Sequence, residues 1–398
     1  MKKLVIITKK FPYFQTEAFI ESEYIYYDNY FEKVTFLPII KGKLREKCKD
    51  ANICDAYNEL YKTKYVQVFK MFFSCHFYKA IVANRKKICS KNFLLKIIFQ
   101  EIHYRILKNL ISKNESLFDE NTVVYSYWFS SVVYALLKVR EENLYKYKVV
   151  CRAHRFDVYD DNGEMPNRKY CIKNLDKIFP ISQDALNVLS KQSNNIDKFS
   201  LSRLGVHDYK CISKQSKNGD YNILTVSQTS KRKRLLLIWE SIQQYAILNP
   251  QINVKWTHIG DGPLDDELQR LSNNNRVSNY EITLKGRVPN SCVLDYYTTR
   301  EIDVFMNLSS SEGVPVSVME AQSFGIPVIA TDVGGSSEIV DDTNGCLLCA
   351  NPTVNDVVKA LEKIKTGCFD RKEIKEVWKN KSNAEVVFPY FISELAKI

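Results

Sequence analysis

Short apolar runs of strand length, each closed by a Gly- or Ser-bearing turn and followed by a helical stretch, recur through the second half of the chain. Strands are expected at 223–226, 254–259, 281–284, 304–308, 327–331 and 345–348. Helices are expected at 235–246, 264–271, within 313–323 and at 354–364. Apolar runs without alternation, spaced by helices, specify parallel strands buried on both faces. Ligands of such sheets sit outside the carboxyl ends of the strands, so the turns after these runs are where chemistry is sought.

The first half begins in the same way. A strand at 4–7 leads into a proline-containing loop, a helix at about 17–27 and a strand at 34–38. Further strands are expected at 123–127, 148–151 and 176–181, with Ser182 opening a helix. A chain of 398 residues is too long for one ordinary core and suits two α/β domains. The polar, basic stretch 192–220 reads as the boundary between them, near 210–220. The organisation expected is a first domain over 1–210, a second over 220–380, and a C-terminal helix over 381–398 packing back on the first.

Residues 60–115 differ in character. Phe69, Phe72, Phe73, Phe77 and Tyr78 mix with Lys70, Lys79, Arg85, Lys86 and Lys87, and the pattern continues through Phe93, Lys96, Phe99 and Tyr104 to Lys108. Charges interrupt it too often for a membrane span. An amphipathic face lying on an anionic membrane surface is expected, against the plainer alternative of domain helices with one core-facing stripe. The formal charge of +11 fits that surface, nucleic acid or phosphorylated small molecules. No zinc finger, basic zipper or RNA-recognition aromatic motif occurs, so nucleic acid is not an expected partner. The cysteines are scattered and only five histidines accompany them, so no structural metal is expected. The N-terminal apolar run is far shorter than a secretory leader core, and a cytoplasmic, reducing environment is expected.

The strongest chemical signal spans Ser309-Ser310-Ser311-Glu312-Gly313-Val314-Pro315-Val316-Ser317-Val318-Met319-Glu320-Ala321. A strand ends in a Ser-rich turn, Gly313 allows close approach of a ligand, and Pro315 suits a helix start. The free amides of Val316 and Ser317 would then face phosphate oxygens. Glu320, on the same helix face, can accept the two hydroxyls of a ribose. Glu312, on the turn, can meet the hydroxyls of a hexose.

Residues 312–338, running through Gly325-Ile326-Pro327 to Gly334-Gly335, resemble the donor-binding signature of the retaining glycosyltransferase family 4. Two glutamates separated by seven residues are its hallmark, here Glu312 and Glu320. Gly260-Asp261-Gly262-Pro263 and Lys285-Gly286-Arg287-Val288-Pro289 resemble two further turns of that family. The likeness is closest to the branch that builds bacterial capsule, exopolysaccharide and O-antigen. It implies the GT-B fold, two Rossmann-like domains facing each other across a deep crevice.

The resemblance also implies roles. Glu320 would hold the donor ribose and Glu312 the sugar hydroxyls. Gly313, Val314, Val316 and Ser317 would lie by the sugar and diphosphate, and Gly286, Arg287 and Val288 by the nucleobase. Lys233, in Ser230-Lys231-Arg232-Lys233-Arg234, matches the lysine that grips the diphosphate. Gln228 stands where the family often has an arginine, leaving Arg232 or Arg234 to compensate. His154, after the strand ending at Cys151, matches a histidine near the sugar. The loop Lys9-Lys10-Phe11-Pro12-Tyr13-Phe14-Gln15-Thr16-Glu17 lacks the two glycines common there and carries a Phe-Pro and Glu pattern instead.

The implied activity is retaining transfer of a hexose or related sugar from a nucleotide-diphosphate sugar, such as a UDP-sugar, to a glycan or lipid-linked acceptor. No Asp-x-Asp element occurs; Asp160-Asp161 and Asp265-Asp266 are adjacent pairs. Cationic groups and helix amides can stabilise the leaving diphosphate instead, so neither metal nor cofactor is expected. The alternatives are a nucleotide-sugar epimerase of the same fold, or a non-catalytic homologue that binds glycan or nucleotide. The expected location is the inner face of the plasma membrane, as a peripheral protein.

Overall fold

The computed structural model describes residues 2–14, 17–159, 165–217 and 219–398. Gln15 and Thr16 of the N-terminal loop, and the pair Asp160-Asp161, lie outside the described residues. The chain forms two compact units. One runs to Arg203 and includes Phe388–Ile398; the other is Leu204–Val387.

The first unit contains β1 (Lys3–Thr8), α1 (Ala18–Tyr24), β2 (Lys33–Pro38), α2 (Ala56–Lys62), α3 (Lys64–Met71), α4 (Cys75–Ala83) and α5 (Lys91–Lys113). It continues with β3 (Thr122–Ser126), α6 (Ser131–Glu142), β4 (Lys148–Ala153), α7 (Arg155–Val158), α8 (Arg168–Asn174), β5 (Lys177–Pro180) and α9 (Gln183–Ser190). All five strands are parallel, in the order β2-β1-β3-β4-β5. Successive residues of β1 feed opposite faces. Leu4 and Ile6 enter one core with Phe36 and Tyr125, and Val5 and Ile7 enter another with Leu107 and Leu136. Burial on both faces is why the strands read as unbroken apolar runs.

The second unit contains β6 (Tyr221–Val226), α10 (Leu235–Leu248), β7 (Val254–Ile259), α11 (Asp265–Asn273), β8 (Tyr280–Leu284) and α12 (Asn290–Thr299). Then follow β9 (Val304–Asn307), α13 (Val316–Ser323), β10 (Val328–Thr331), β11 (Gly345–Leu348), α14 (Val354–Thr366) and α15 (Arg371–Ser382), and α16 (Ala384–Ala396) ends the chain. Its sheet is parallel, in the order β11-β10-β9-β6-β7-β8. Both units are doubly wound, Rossmann-like domains. The winding reverses between β1 and β3 in the first and between β6 and β9 in the second. Ligands of such sheets bind outside the carboxyl ends of the strands at these reversals.

The unit boundary falls at 203/204, earlier than the polar composition of 192–220 suggested. The stretch after Leu204 is polar because it is tied to the second unit by polar contacts. Asp303 accepts from the Ser216 amide (2.9 Å), and Lys375 pairs with Asp208 (2.8 Å). At the other end, Phe391, Ile392 and Leu395 of α16 enter the first unit's core. There the guanidinium of Arg152, fully buried on β4, sits 4.2 Å from the Phe391 ring. It also ion-pairs with buried Glu23 and donates to Ser202 Oγ (2.6 Å). A buried charge stripped of its partner costs about 3–5 kcal/mol, so this pair fixes α1, β4 and the Ser202 segment together.

The basic aromatic stretch divides in two. Along α5, Phe93, Ile97, Ile106, Leu107 and Leu110 are core residues, as the plainer reading has it. The exposed aromatics gather on α3, α4 and the turn between them: Tyr65 (77% exposed), Phe69 (67%), Phe72 (54%), Phe73 (79%) and Tyr78 (53%). Among the described residues no helix is long and apolar enough to cross a membrane. Cys346 and Cys349 form a CxxC pair within an otherwise scattered set; the first is buried on β11, the second exposed, and both are free thiols. No group of His, Cys, Asp and Glu among the described residues is arranged to hold a metal ion.

Candidate active site

In the second unit the two loops at the winding reversal are stitched together. The Ser310 amide donates to the Arg232 carbonyl (2.8 Å), and Arg232 Nη1 donates to the Ser311 carbonyl (3.0 Å). The turn Lys231–Lys233 therefore lies against the Ser-rich turn after β9. This brings Lys233 Nζ to 2.5 Å from Glu312 Oε1, across 79 positions of sequence.

Glu312 is nearly buried. Asn307 Nδ2 lies 3.4 Å from Oε1, and Arg232 Nη1 is 3.5 Å from Oε2. Beside it, Ser309 Oγ donates to Asn307 Oδ1 (2.6 Å). Burial alone would push the Glu312 pKa up, but Lys233, Ser309 and Arg232 together hold it below the ordinary glutamate value. The carboxylate is therefore charged and poised among donors. Of the two candidate compensators for Gln228, Arg232 is the one at the site. Arg234 turns away and donates to the Ala350 carbonyl and Asn351 Oδ1, both at 2.6 Å. Gln228 is exposed beside Gly262.

The Gly334-Gly335 turn clamps the glutamate loop. The Gly335 amide donates to the Gly313 carbonyl (2.6 Å). Gly334 sits at φ 57°, and a Cβ there would lie 1.9 Å from the Glu312 carbonyl oxygen. A side chain at 334 would push Glu312 off Lys233.

Pro315 caps α13 rather than occupying its first turn. The first helical hydrogen bond runs from the Val318 amide to the Pro315 carbonyl (3.1 Å), so the amides of Val316 and Ser317 precede it. Gly313 and Val314 are buried in the approach to this helix end. Glu320, one turn further on, is partly exposed and accepts from Asn290 Nδ2 (3.0 Å). Its pKa is raised by burial, a shift that Asn290 only partly offsets. Asn290 is the first residue of α12, directly after the turn holding Gly286, Arg287 and Val288. That turn is fixed by the Gly260 amide, which donates to the Gly286 carbonyl (2.9 Å). Arg287 is exposed. Asn290 and Asn307 bond the two glutamates without having been singled out from sequence, whereas Ser309 opens the segment that was. Asn307 lies within a few residues of Glu312, which was the available signal.

His154 belongs to the first unit, at the start of α7 beyond β4. Its ring is buried between Tyr127 (4.9 Å between centroids) and Trp128 (4.6 Å). Burial and neighbouring Arg152 push its pKa well below the usual histidine value, against a hydrogen bond to the Tyr127 backbone. Nε2 is buried and has no hydrogen-bond partner among the described residues. The ring is held neutral, and Nε2 is its nitrogen left without a partner among the described residues. A buried polar atom without a partner is uncommon in a native protein and calls for a role.

The family model of the group 1 glycosyl transferases matches residues 220–366, most of the second unit. The Escherichia coli O-antigen biosynthesis glycosyltransferase WbnH is 27% identical over 232 residues, 56% of this chain and 61% of that one. The putative colanic acid biosynthesis glycosyltransferase WcaL of Escherichia coli is 24% identical over 224 residues, 54% of each chain. The chain thus spans less than two thirds of the length of either relative. Among solved structures, Anabaena HepE in complex with UDP superposes over 100% of both chains with a TM-score of 0.70 at 12% identity, a likeness of fold. The chain therefore shares the GT-B fold of two doubly wound domains, and its residues 220–366 are similar to the group 1 glycosyl transferases.

Proposed function

We propose that the protein transfers a sugar, with retention at the anomeric carbon, from a nucleotide-diphosphate sugar to a glycan or lipid-linked oligosaccharide acceptor. One observation carries this reading. A lysine and a nearly buried glutamate meet at 2.5 Å where the second sheet reverses its winding, beside a helix whose first amides are open. Lys233, Arg232 and the amides of Val316 and Ser317 supply positive charge for a diphosphate leaving group. Glu312 meets the sugar hydroxyls, and Glu320, steadied by Asn290, meets the ribose. The bare Nε2 of neutral His154 accepts a hydrogen bond from a substrate hydroxyl. HepE, whose fold this chain shares, has been seen with UDP, which supports a uridine diphosphate sugar as donor.

The test is incubation with a panel of nucleotide sugars and bacterial lipid-linked acceptors, with mass detection of product. Transfer is expected with at least one pair. It is expected to persist in excess chelator, because cationic side chains and amides carry the charge that a metal would otherwise neutralise. Isomerised donor in the absence of any acceptor would show an epimerase instead. Loss of transfer in chelator, restored by magnesium or manganese, would overturn the metal-free reading.

The same proposal places the protein on the cytoplasmic face of the plasma membrane through α3 and α4. Tyr65, Phe69, Phe72 and Phe73 are exposed, and Lys64 lies over the Tyr61 and Tyr65 rings (5.3 Å each). Exposed aromatics among lysines suit a headgroup boundary, where each basic residue contributes about 1 kcal/mol toward an anionic surface. Binding to anionic vesicles is expected, weakening with salt. Phe69→Ser with Phe73→Ser should abolish it while leaving nucleotide binding intact. Equal binding to neutral vesicles, or none to either, would reject this placement.

A further inference from the structure

The loop after β1 has no glycine, yet its amides converge as a glycine loop's would. The carboxylate of Glu17 accepts from three consecutive backbone amides: Lys9 (3.2 Å), Lys10 (2.6 Å) and Phe11 (2.8 Å). A fourth donor, the indole Nε1 of Trp128, lies 2.6 Å away. Four donors match the full accepting capacity of a carboxylate. Successive amides turned inward form an anion-binding nest. Here the chain fills the nest with its own side chain, and Glu17 adopts a left-handed backbone (φ 61°) at the start of α1. Few non-glycine residues take that conformation.

The position of the nest matters. Trp128 lies just beyond β3, and β1 and β3 flank the winding reversal of the first sheet. The Trp128 ring packs 4.6 Å from that of His154, whose Nε2 is buried without a partner among the described residues. One carboxylate thus ties together the loops after β1 and β3, and through Trp128 it bears on the histidine after β4.

We propose that Glu17 is a positioning residue: it substitutes for an anion in the amide nest and holds Trp128 against His154, so that Nε2 stays aimed at a substrate hydroxyl. This rests on the glycosyl-transfer reading given above. A side chain that can be removed from an anion nest leaves a vacancy of known chemistry, and a small carboxylate should refill it.

The experiment compares the full-length protein with Glu17→Ala and Trp128→Phe, with sodium formate titrated against sodium chloride at constant ionic strength. Glu17→Ala is expected to lower kcat about ten- to a hundredfold, the scale of a misplaced catalytic group, with UDP affinity unchanged. Formate should restore turnover saturably, chloride should not, and the wild type should respond to neither. Trp128→Phe keeps the nest and an aromatic ring, smaller than the indole, but loses the N–H. It should lower kcat without formate rescue, and combining the two changes should cost less than the product of their separate effects. An NMR readout is independent of turnover: the Trp128 indole N–H resonance, assigned by its absence in Trp128→Phe, should shift in Glu17→Ala and return with formate. Full turnover in Glu17→Ala or in Trp128→Phe would overturn the proposal, as would an indole resonance that does not move. A resonance that behaves as expected in a protein that transfers no sugar would instead overturn the glycosyl-transfer reading. If Glu17→Ala does not fold, Trp128→Phe decides the matter through its kcat alone.

Discussion

Lys233→Ala is expected to lower kcat by about a hundred- to a thousandfold, the typical cost of deleting one preorganised charge-stabilising donor. Lys233 is the most intimate cation in the donor-side cluster, 2.5 Å from Glu312, while Arg232 stands 3.5 Å from the same carboxylate. As a nucleotide diphosphate leaves, negative charge grows on its phosphate, and a cation already fixed in a desolvated site needs no reorganisation to meet it. The lysine also keeps Glu312 ionised. Without it, burial is opposed only by Ser309, Arg232 and weaker neighbours, and the carboxyl pKa rises. Lys233→Ala should therefore shift the acid limb of the pH–rate profile upward as well as lower its plateau. Arg232→Ala should cost less, and Arg234→Ala close to nothing, because that side chain is spent on Ala350 and Asn351. Steady-state kinetics over pH 5 to 9 on the three variants check the order. An Arg234 effect equal to that of Lys233 would show that the cluster has been assigned to the wrong cation.

Much of this site was legible in the sequence because its signals are local. Glu312, Gly313, Pro315 and Glu320 lie within one turn and one helix, so spacing alone places them relative to each other. The strands were legible because burial on both faces leaves little room for polar residues. What the sequence hid is long-range. Nothing in residues 230–234 says that Lys233 rather than Arg234 turns toward Glu312; the left-handed backbone of Arg234 (φ 51°) sends that side chain elsewhere. The Asn290–Glu320 bond joins positions 30 apart, and Glu17–Trp128 positions 111 apart. The loop after β1 reads as a poor phosphate cradle because it lacks glycine, and its amides do converge, but on the chain's own carboxylate. The domain boundary was read from composition, which records that the stretch after Leu204 is polar and not that Asp208 and Ser216 are each paired within the second unit.

The two glutamates should separate cleanly in a binding experiment. Glu320→Gln is expected to weaken free nucleotide diphosphate by roughly ten- to a hundredfold, because charge-assisted hydrogen bonds contribute about 1.5–3 kcal/mol each. A ribose is present in donor, product and transition state alike, so the loss should appear mainly in the donor KM. The raised pKa of Glu320 gives a second signature. As pH falls through it, the carboxylate gains a proton and loses accepting capacity for the ribose hydroxyls. Wild-type affinity should therefore drop on acidification more steeply than that of Glu320→Gln; the nucleotide's own phosphate titration is common to both and cancels in the comparison. Glu312→Gln should behave in the opposite sense. It removes a contact to the sugar, which free nucleotide diphosphate lacks, so kcat should fall strongly. It also releases Lys233 from its 2.5 Å ion pair, so that the ammonium faces an incoming diphosphate without a competing carboxylate. Nucleotide diphosphate affinity should then equal or exceed that of the wild type. Calorimetry with UDP and donor kinetics on both variants, with unfolding midpoints as a control, provide the measurement. Loss of UDP binding in Glu312→Gln with retention in Glu320→Gln would exchange the two roles. Unchanged binding and turnover in both would remove the glutamate pair from the donor site.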